Sequence, residues 1–161
     1  MSKEKYAGFW LRFVAYLVDY IVIQIAQSFI ILPILAFMGI TFFSAGGNYN
    51  LDSMSEEEAF AMAAAFISAI STAAFLSYIL QVLYFSIMES SKYQATLGKL
   101  ALGLKVTDMN GKRLDFAKAF LRNIAKIISA LLLMIGYIIA GFTEKKQALH
   151  DMIASALVVK K

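Results

Sequence analysis

Two long stretches without a single Asp, Glu, Lys or Arg, residues 20–51 and 59–88, limit what this chain can fold into more than any other feature. Each exceeds the roughly 20 apolar residues that cross the hydrocarbon core of a bilayer. With 60% hydrophobic and 16% charged residues in 161, a water-soluble domain could not hide the apolar surface. The first apolar run is also far longer than the core of a cleaved signal peptide, so the N-terminal segment is expected to stay in the mature protein.

The expected fold class is an all-α membrane protein, a single domain over 1–161. It is a small helical bundle with two long transmembrane helices, a third short hydrophobic segment and a short cytoplasmic β-hairpin. Helix 1 is expected over about 6–38, with Phe9, Trp10 and Tyr16 at headgroup level. Pro33 should bend or end its outer half. An outer loop at about 41–54 carries Gly46, Gly47, Asn48, Asn50 and Asp52. Ser55 is placed to cap helix 2, about 55–87, whose first turn holds Glu56, Glu57 and Glu58. Ala61, Ala65, Ala69, Ala73 and Ser77 then recur every fourth residue as a ridge for close helix packing.

Residues 89–114 read as a basic cytoplasmic segment. Asn110-Gly111 marks a hairpin turn between a strand at 104–107 and residues 112–114. From Asp115, an expected N-cap, an amphipathic and then apolar helix runs over about 115–143. Asp115, Ala119, Arg122 and Lys126 share one face, and Phe116, Phe120, Ile124 and Ile127 the other. The uncharged run 127–143 has only 17 residues and contains Gly136 and Gly141, so it either crosses or re-enters. A re-entrant path would return 156–159 of the tail (144–161) to pair near Leu104.

No Lys or Arg lies between Arg12 and Lys92, while Lys92, Lys99, Lys105, Lys112, Arg113, Lys118, Arg122 and Lys126 crowd the stretch after helix 2. The positive-inside rule therefore puts the N-terminus and residues 89–126 in the cytoplasm. The net charge of +4 flanks apolar segments, so anionic lipid headgroups, not nucleic acid, are the expected counter-charge.

Arg12 and Asp19 share a helix face with Tyr16 but are separated by about 10 Å of rise, so each needs another partner. One reading pairs Asp19 with Arg122, Asn123 or Lys126 to fix packing; another has it bind and release a proton or small cation in a wet cavity. An interfacial position wet enough to need neither is the third. His150 is an anchor or a proton relay. With no cysteine, metal-ligand spacing, Ser-His-Asp ordering or phosphate-cradling glycine loop, no catalytic residue, metal site or cofactor is expected, and the chain reads as a non-enzyme.

Gly8-Phe9-Trp10-Leu11-Arg12 with Asp19, Thr96-Leu97-Gly98-Lys99, Leu102-Gly103-Leu104-Lys105-Val106, Gly111 and Leu149-His150-Asp151 together resemble the RDD family of bacterial membrane proteins. The family's arginine and two aspartates fall by motif on Arg12, Asp19 and Asp151. Family members often show Ala-Gly-Thr before the terminal valines, where this chain has Ala154-Ser155-Ala156. The resemblance implies a multi-pass protein of a bacterial cytoplasmic membrane and suggests transport of ions or small solutes. The leading expectation is thus proton, cation or solute transport with Asp19 as the titrating site, in a homo-oligomer packed through the helix 2 ridge. The alternative is a non-transporting scaffold or partner-binding module in which Arg12, Asp19 and Asp151 form a structural charge cluster.

Overall fold

The computed structural model describes residues 6–45, 54–131 and 135–161. The expected outer-loop residues Gly46, Gly47, Asn48, Asn50 and Asp52 lie outside them. Two long helices dominate: α1, Phe9–Ala45, and α2, Glu56–Ser90. Ser55 caps α2 reciprocally: Glu58 N–H donates to Ser55 Oγ, and Ser55 N–H donates to the Glu58 carboxylate. Pro33 does not end α1, which continues to Ala45; a proline in an apolar helix removes one backbone hydrogen bond, and a membrane helix tolerates that loss.

Phe9–Phe37 and Glu56–Ser90 are long and apolar enough to span a membrane, with mean hydropathy 2.1 and 2.0. Only 11% and 0% of their most apolar windows are buried, so they are not core helices of a soluble protein. Phe29, Phe37, Phe60 and Ile67 point outward, as side chains do when the solvent is lipid. Hydroxyls in the apolar stretches turn back on their own helices, Ser28 to the Ile25 carbonyl and Thr72 to the Ser68 carbonyl.

The chain divides into two compact units, Ile23–Ile79 and Met1–Val22 with Leu80–Lys161. Within the first, buried Gln27 donates to the Ser77 carbonyl at 3.0 Å. The adjoining part of the small-residue ridge, Ala69, Ala73 and Ser77, is half-buried, while Ala61 and Ala65 are exposed.

The second unit adds α3 (Leu97–Ala101), β1 (Leu104–Asp108), α4 (Phe116–Leu131), α5 (Ile135–Ile138), a 3-10 turn (Ile139–Gly141), α6 (Leu149–Ile153) and β2 (Ala156–Lys160). A two-stranded antiparallel sheet is present, but its strands are not the expected hairpin. β1 pairs with β2, Val106 opposite Val158. The turn at Asn110-Gly111 does form, held by the Asp108 carboxylate accepting the N–H groups of Asn110 and Lys112, with Gly111 at φ 79°. Residues 112–114 make no strand, because the apolar segment Ala156–Lys160 buries more than Lys112-Arg113 can. Tyr6 bridges Val159 and Ala7 N–H donates to the Val158 carbonyl, so α1 begins at Phe9 and not at Tyr6. The core is Ala7, Ala15, Leu104, Val106, Leu114, Ala119, Ala154, Ala156 and Val158.

The segment expected as an amphipathic and then apolar helix over about 115–143 holds α4, α5 and the 3-10 turn as separate elements. Asp115 caps α4 through the Lys118 N–H, but α5 turns back against it. A Cβ on Gly136 would stand 2.7 Å from Ser129 Cα, whereas seven residues of continuous helix would separate the two by about 10 Å. The Tyr137 hydroxyl also reaches the Lys126 carbonyl at 3.4 Å. The polarity of α4 follows from this: Ala119, Arg122, Asn123 and Ser129 are buried, whereas Phe116, Phe120, Leu121, Ile124, Ile127 and Ile128 face outward. That is inside out for a soluble protein and right for a helix with lipid behind it.

Ser155, where the family often has glycine, sits at φ 50°. A left-handed conformation costs a non-glycine residue roughly 1–2 kcal/mol. Ser155→Gly is therefore expected to stabilise the protein by about 1 kcal/mol, seen as a higher midpoint of thermal unfolding in detergent.

Candidate functional site

Helix order brings five charged side chains, far apart in sequence, into one chain of ion pairs. The α2 carboxylate Glu89, fully buried near the helix end, meets Lys99 of α3 and Arg122 of α4. Arg122 Nη1 donates to Glu89 Oε2 at 2.6 Å, and its Nε and Nη2 both reach Asp151 Oδ1 of α6 at 2.7 Å. Asp151 in turn pairs with Arg12 of α1, and its other oxygen accepts the Ala148 N–H. Arg12 spends its remaining donors on the carbonyls of Ala7 (2.9 Å) and Lys146 (2.6 Å). Asn123 adds a bond from Nδ2 to Glu89 at 3.2 Å. Five helices, α1, α2, α3, α4 and α6, are thus joined to one another by charge.

Burial disfavours ionisation of Asp151, but the guanidinium groups of Arg122 and Arg12 outweigh it and hold the carboxyl well below the usual range. Burial likewise pulls Arg122 down, and Glu89 and Asp151 more than reverse it. Desolvation drives His150 down to about 3, so its ring is neutral at pH 7. The ring rests near Tyr137 and shares a hydrogen bond with the Ser129 hydroxyl, the role of an anchor.

Asp19 is not one of this set. Its carboxylate accepts the Thr96 hydroxyl, the Gly98 N–H at 2.7 Å and the Tyr84 hydroxyl at 3.3 Å. It does not hydrogen-bond to Arg122, Asn123 or Lys126. Instead it accepts the second N–H of α3, that of Gly98, from a position 79 residues earlier, while the first, that of Leu97, donates to the Tyr84 hydroxyl. Gly98 makes this possible, since a Cβ there would lie 2.1 Å from the Ala15 carbonyl oxygen. Tyr16 packs on Phe85, with ring centroids 6.3 Å apart.

Glu89, Lys99 and Thr96 were not among the candidate site residues, although Thr96 and Lys99 stood in the motif Thr96-Leu97-Gly98-Lys99. The signal for Glu89 was present: it is the first charge after the 59–88 stretch, standing at a span end as Asp19 does before the 20–51 stretch.

Beside the network lies a cavity of about 300 Å³. Arg12, Lys99, Arg122 and Lys126 line it against one carboxylate, Asp19, and Phe9, Phe13, Tyr16 and Ile138 supply aromatic and apolar wall. Lys126 Nζ sits 4.1 Å from the centre of the Phe85 ring, and Lys99 Nζ lies 5.6 Å from the same ring. Desolvation is the largest influence on Lys126 and brings it down to about 7. Among the described residues no group of three or more His, Cys, Asp or Glu could hold a metal ion.

The profile of the RDD family matches residues 6–155. The chain is 39% identical over 160 residues to the uncharacterized protein YxaI of Bacillus subtilis strain 168, covering 98% of this chain and 99% of the relative. It is 28% identical over 161 residues to the uncharacterized membrane protein YteJ of the same organism, covering 99% and 84%. No solved structure matches the chain significantly.

Proposed function

Because the chain belongs to the RDD family and is a membrane protein with two candidate spans, we propose that it works as a non-catalytic membrane module, a scaffold whose charge network locks its polar end into one platform. The observation that carries this reading is that Asp19, Glu89 and Asp151 are each engaged by at least three donors. A carboxylate that exchanges a proton or cation needs an open face, and one filled by structural donors holds packing instead. Pairing of β2 with both β1 and Tyr6 supports a re-entrant α4–α5 segment, with both chain ends and the basic 89–114 stretch on the cytoplasmic side. The exposed part of the ridge on α2, Ala61 and Ala65, is the surface for a second copy or a membrane partner.

Asp19→Asn tests the reading. The amide keeps one acceptor oxygen but sets an N–H₂ group where the other stood, facing Thr96 or facing Gly98 and Tyr84, and a buried unmade bond costs about 1–3 kcal/mol. The expected result is a lower unfolding midpoint and lower abundance, with proton and sodium flux in proteoliposomes at the level of empty vesicles for both proteins. Flux in the wild type that disappears in Asp19→Asn at unchanged stability would favour transport through Asp19. The cavity supports that second reading, in which the module carries a small solute.

A further inference from the structure

The cavity beside the network has lopsided chemistry, four cations against one carboxylate. Of its four cations, Arg12 and Arg122 each turn Nε, Nη1 and Nη2 toward Asp151, Glu89 or a backbone carbonyl. Lys99 donates once, to Glu89, leaving two ammonium hydrogens. Lys126 forms no salt bridge among the described residues and meets the Phe85 ring instead. The one carboxylate in the wall, Asp19, is spent on Thr96, Gly98 and Tyr84. Two ammonium groups near the same aromatic ring, 4.1 and 5.6 Å from the centre of Phe85, thus retain donors, and a lysine is a strong point-charge partner for phosphate oxygens.

The wall also says what else the ligand carries. Phe13 and Ile138, 43% and 46% exposed, stand at the cavity and open onto the outer surface of the protein. Phe85 lies in the last two turns of α2, and Phe13 in the second turn of α1, which puts the cavity at the polar end of both candidate spans. A volume of about 300 Å³ takes a polar headgroup but not acyl chains, which would lie outside against Phe13 and Ile138. We propose that this cavity is a binding site for the phosphate of an anionic phospholipid, held between Lys126 and Lys99, with the chains running along the Phe13 and Ile138 flank. This goes beyond the scaffold reading and does not depend on it.

The groups that bear on Lys126 are Glu89 of α2, Lys99 of α3, Arg122 on its own helix and Asp151 of α6; Arg12, Asp19 and neutral His150 line the same cavity. An anion favours the protonated amine. As the pH rises through about 7 the unliganded protein has to take up a proton to bind, so affinity falls.

The test is lipid binding by the purified full-length protein in neutral detergent, read by native mass spectrometry and by the thermal shift on adding lipid. Phosphatidylglycerol is expected to bind and raise the midpoint, phosphatidylcholine to do neither, and glycerol 3-phosphate alone to bind far more weakly. Lys126→Met should lower phosphatidylglycerol affinity about tenfold, the value of one charge-assisted contact. Lys126→Arg should keep the affinity and lose its fall between pH 7 and 9. Equal binding of phosphatidylglycerol to wild type and Lys126→Met, or equal binding of phosphatidylcholine, would overturn the site. Binding of glycerol 3-phosphate as tight as that of the lipid would overturn the lipid as its source. The unfolding midpoint of Lys126→Met without lipid, expected to match wild type, separates loss of the site from loss of the fold.

Discussion

Gly98→Ala is expected to be the most damaging single methyl that can be added to the described part of this chain. The new Cβ would lie 2.1 Å from the Ala15 carbonyl oxygen and 3.0 Å from Asp19 Cγ, and the first of these is backbone that cannot swing aside. α3 has to withdraw from α1, taking the Gly98 N–H and the Thr96 hydroxyl off Asp19 and straining the Lys99 to Glu89 ion pair. Overpacking alone costs about 1–3 kcal/mol, and a buried carboxylate stripped of its donors adds a similar amount. Relative to wild type, the variant should accumulate poorly and unfold at a clearly lower temperature in detergent. An unfolding midpoint within a degree of wild type would mean that the contact between α1 and α3 is not as close as described.

Arg122→Leu is the second. Among the described residues this guanidinium, 2% exposed, is the one side chain that ion-pairs with both Glu89 and Asp151. Removing it leaves two buried carboxylates with one cation each, Lys99 and Arg12, and breaking a buried pair by deleting one partner costs about 3–5 kcal/mol. Arg122→Lys is expected to recover little, because a single ammonium cannot reproduce the fork that spans both carboxylates.

The span of the membrane was legible because it depends on composition over 20 or more residues, which no tertiary detail can reverse: nothing in 20–51 or 59–88 asks for water. Local caps were legible for a related reason, since Ser55 and Asp115 each bond to an N–H three residues on. Asp19 was not, because Arg122, Asn123 and Lys126 are the obvious partners for a carboxylate at a span end, and nothing local announces that it will cap a helix 79 residues later. The Asn110-Gly111 turn was read correctly as a turn and wrongly as a hairpin; turn chemistry fixes φ at Gly111, but the strand partner is chosen by apolar burial, and that lay 48 residues from the turn's own flank at the Asp108↔Ala156 pair. The two faces of α4 were visible in its periodicity, whereas which one met the protein interior was not. Periodicity separates polar from apolar side chains without saying what solvent each will find.

The platform stands on the coupling between Arg122 and Glu89, and a double-mutant cycle measures that directly. Arg122→Leu, Glu89→Leu and the double variant would be unfolded in the same detergent, with wild type as the fourth corner. The account predicts that each single change is severely destabilising and that the double variant is more stable than their sum by at least about 2 kcal/mol, because two buried groups removed together leave neither uncompensated. Additivity of the two changes to within about 0.5 kcal/mol would contradict it.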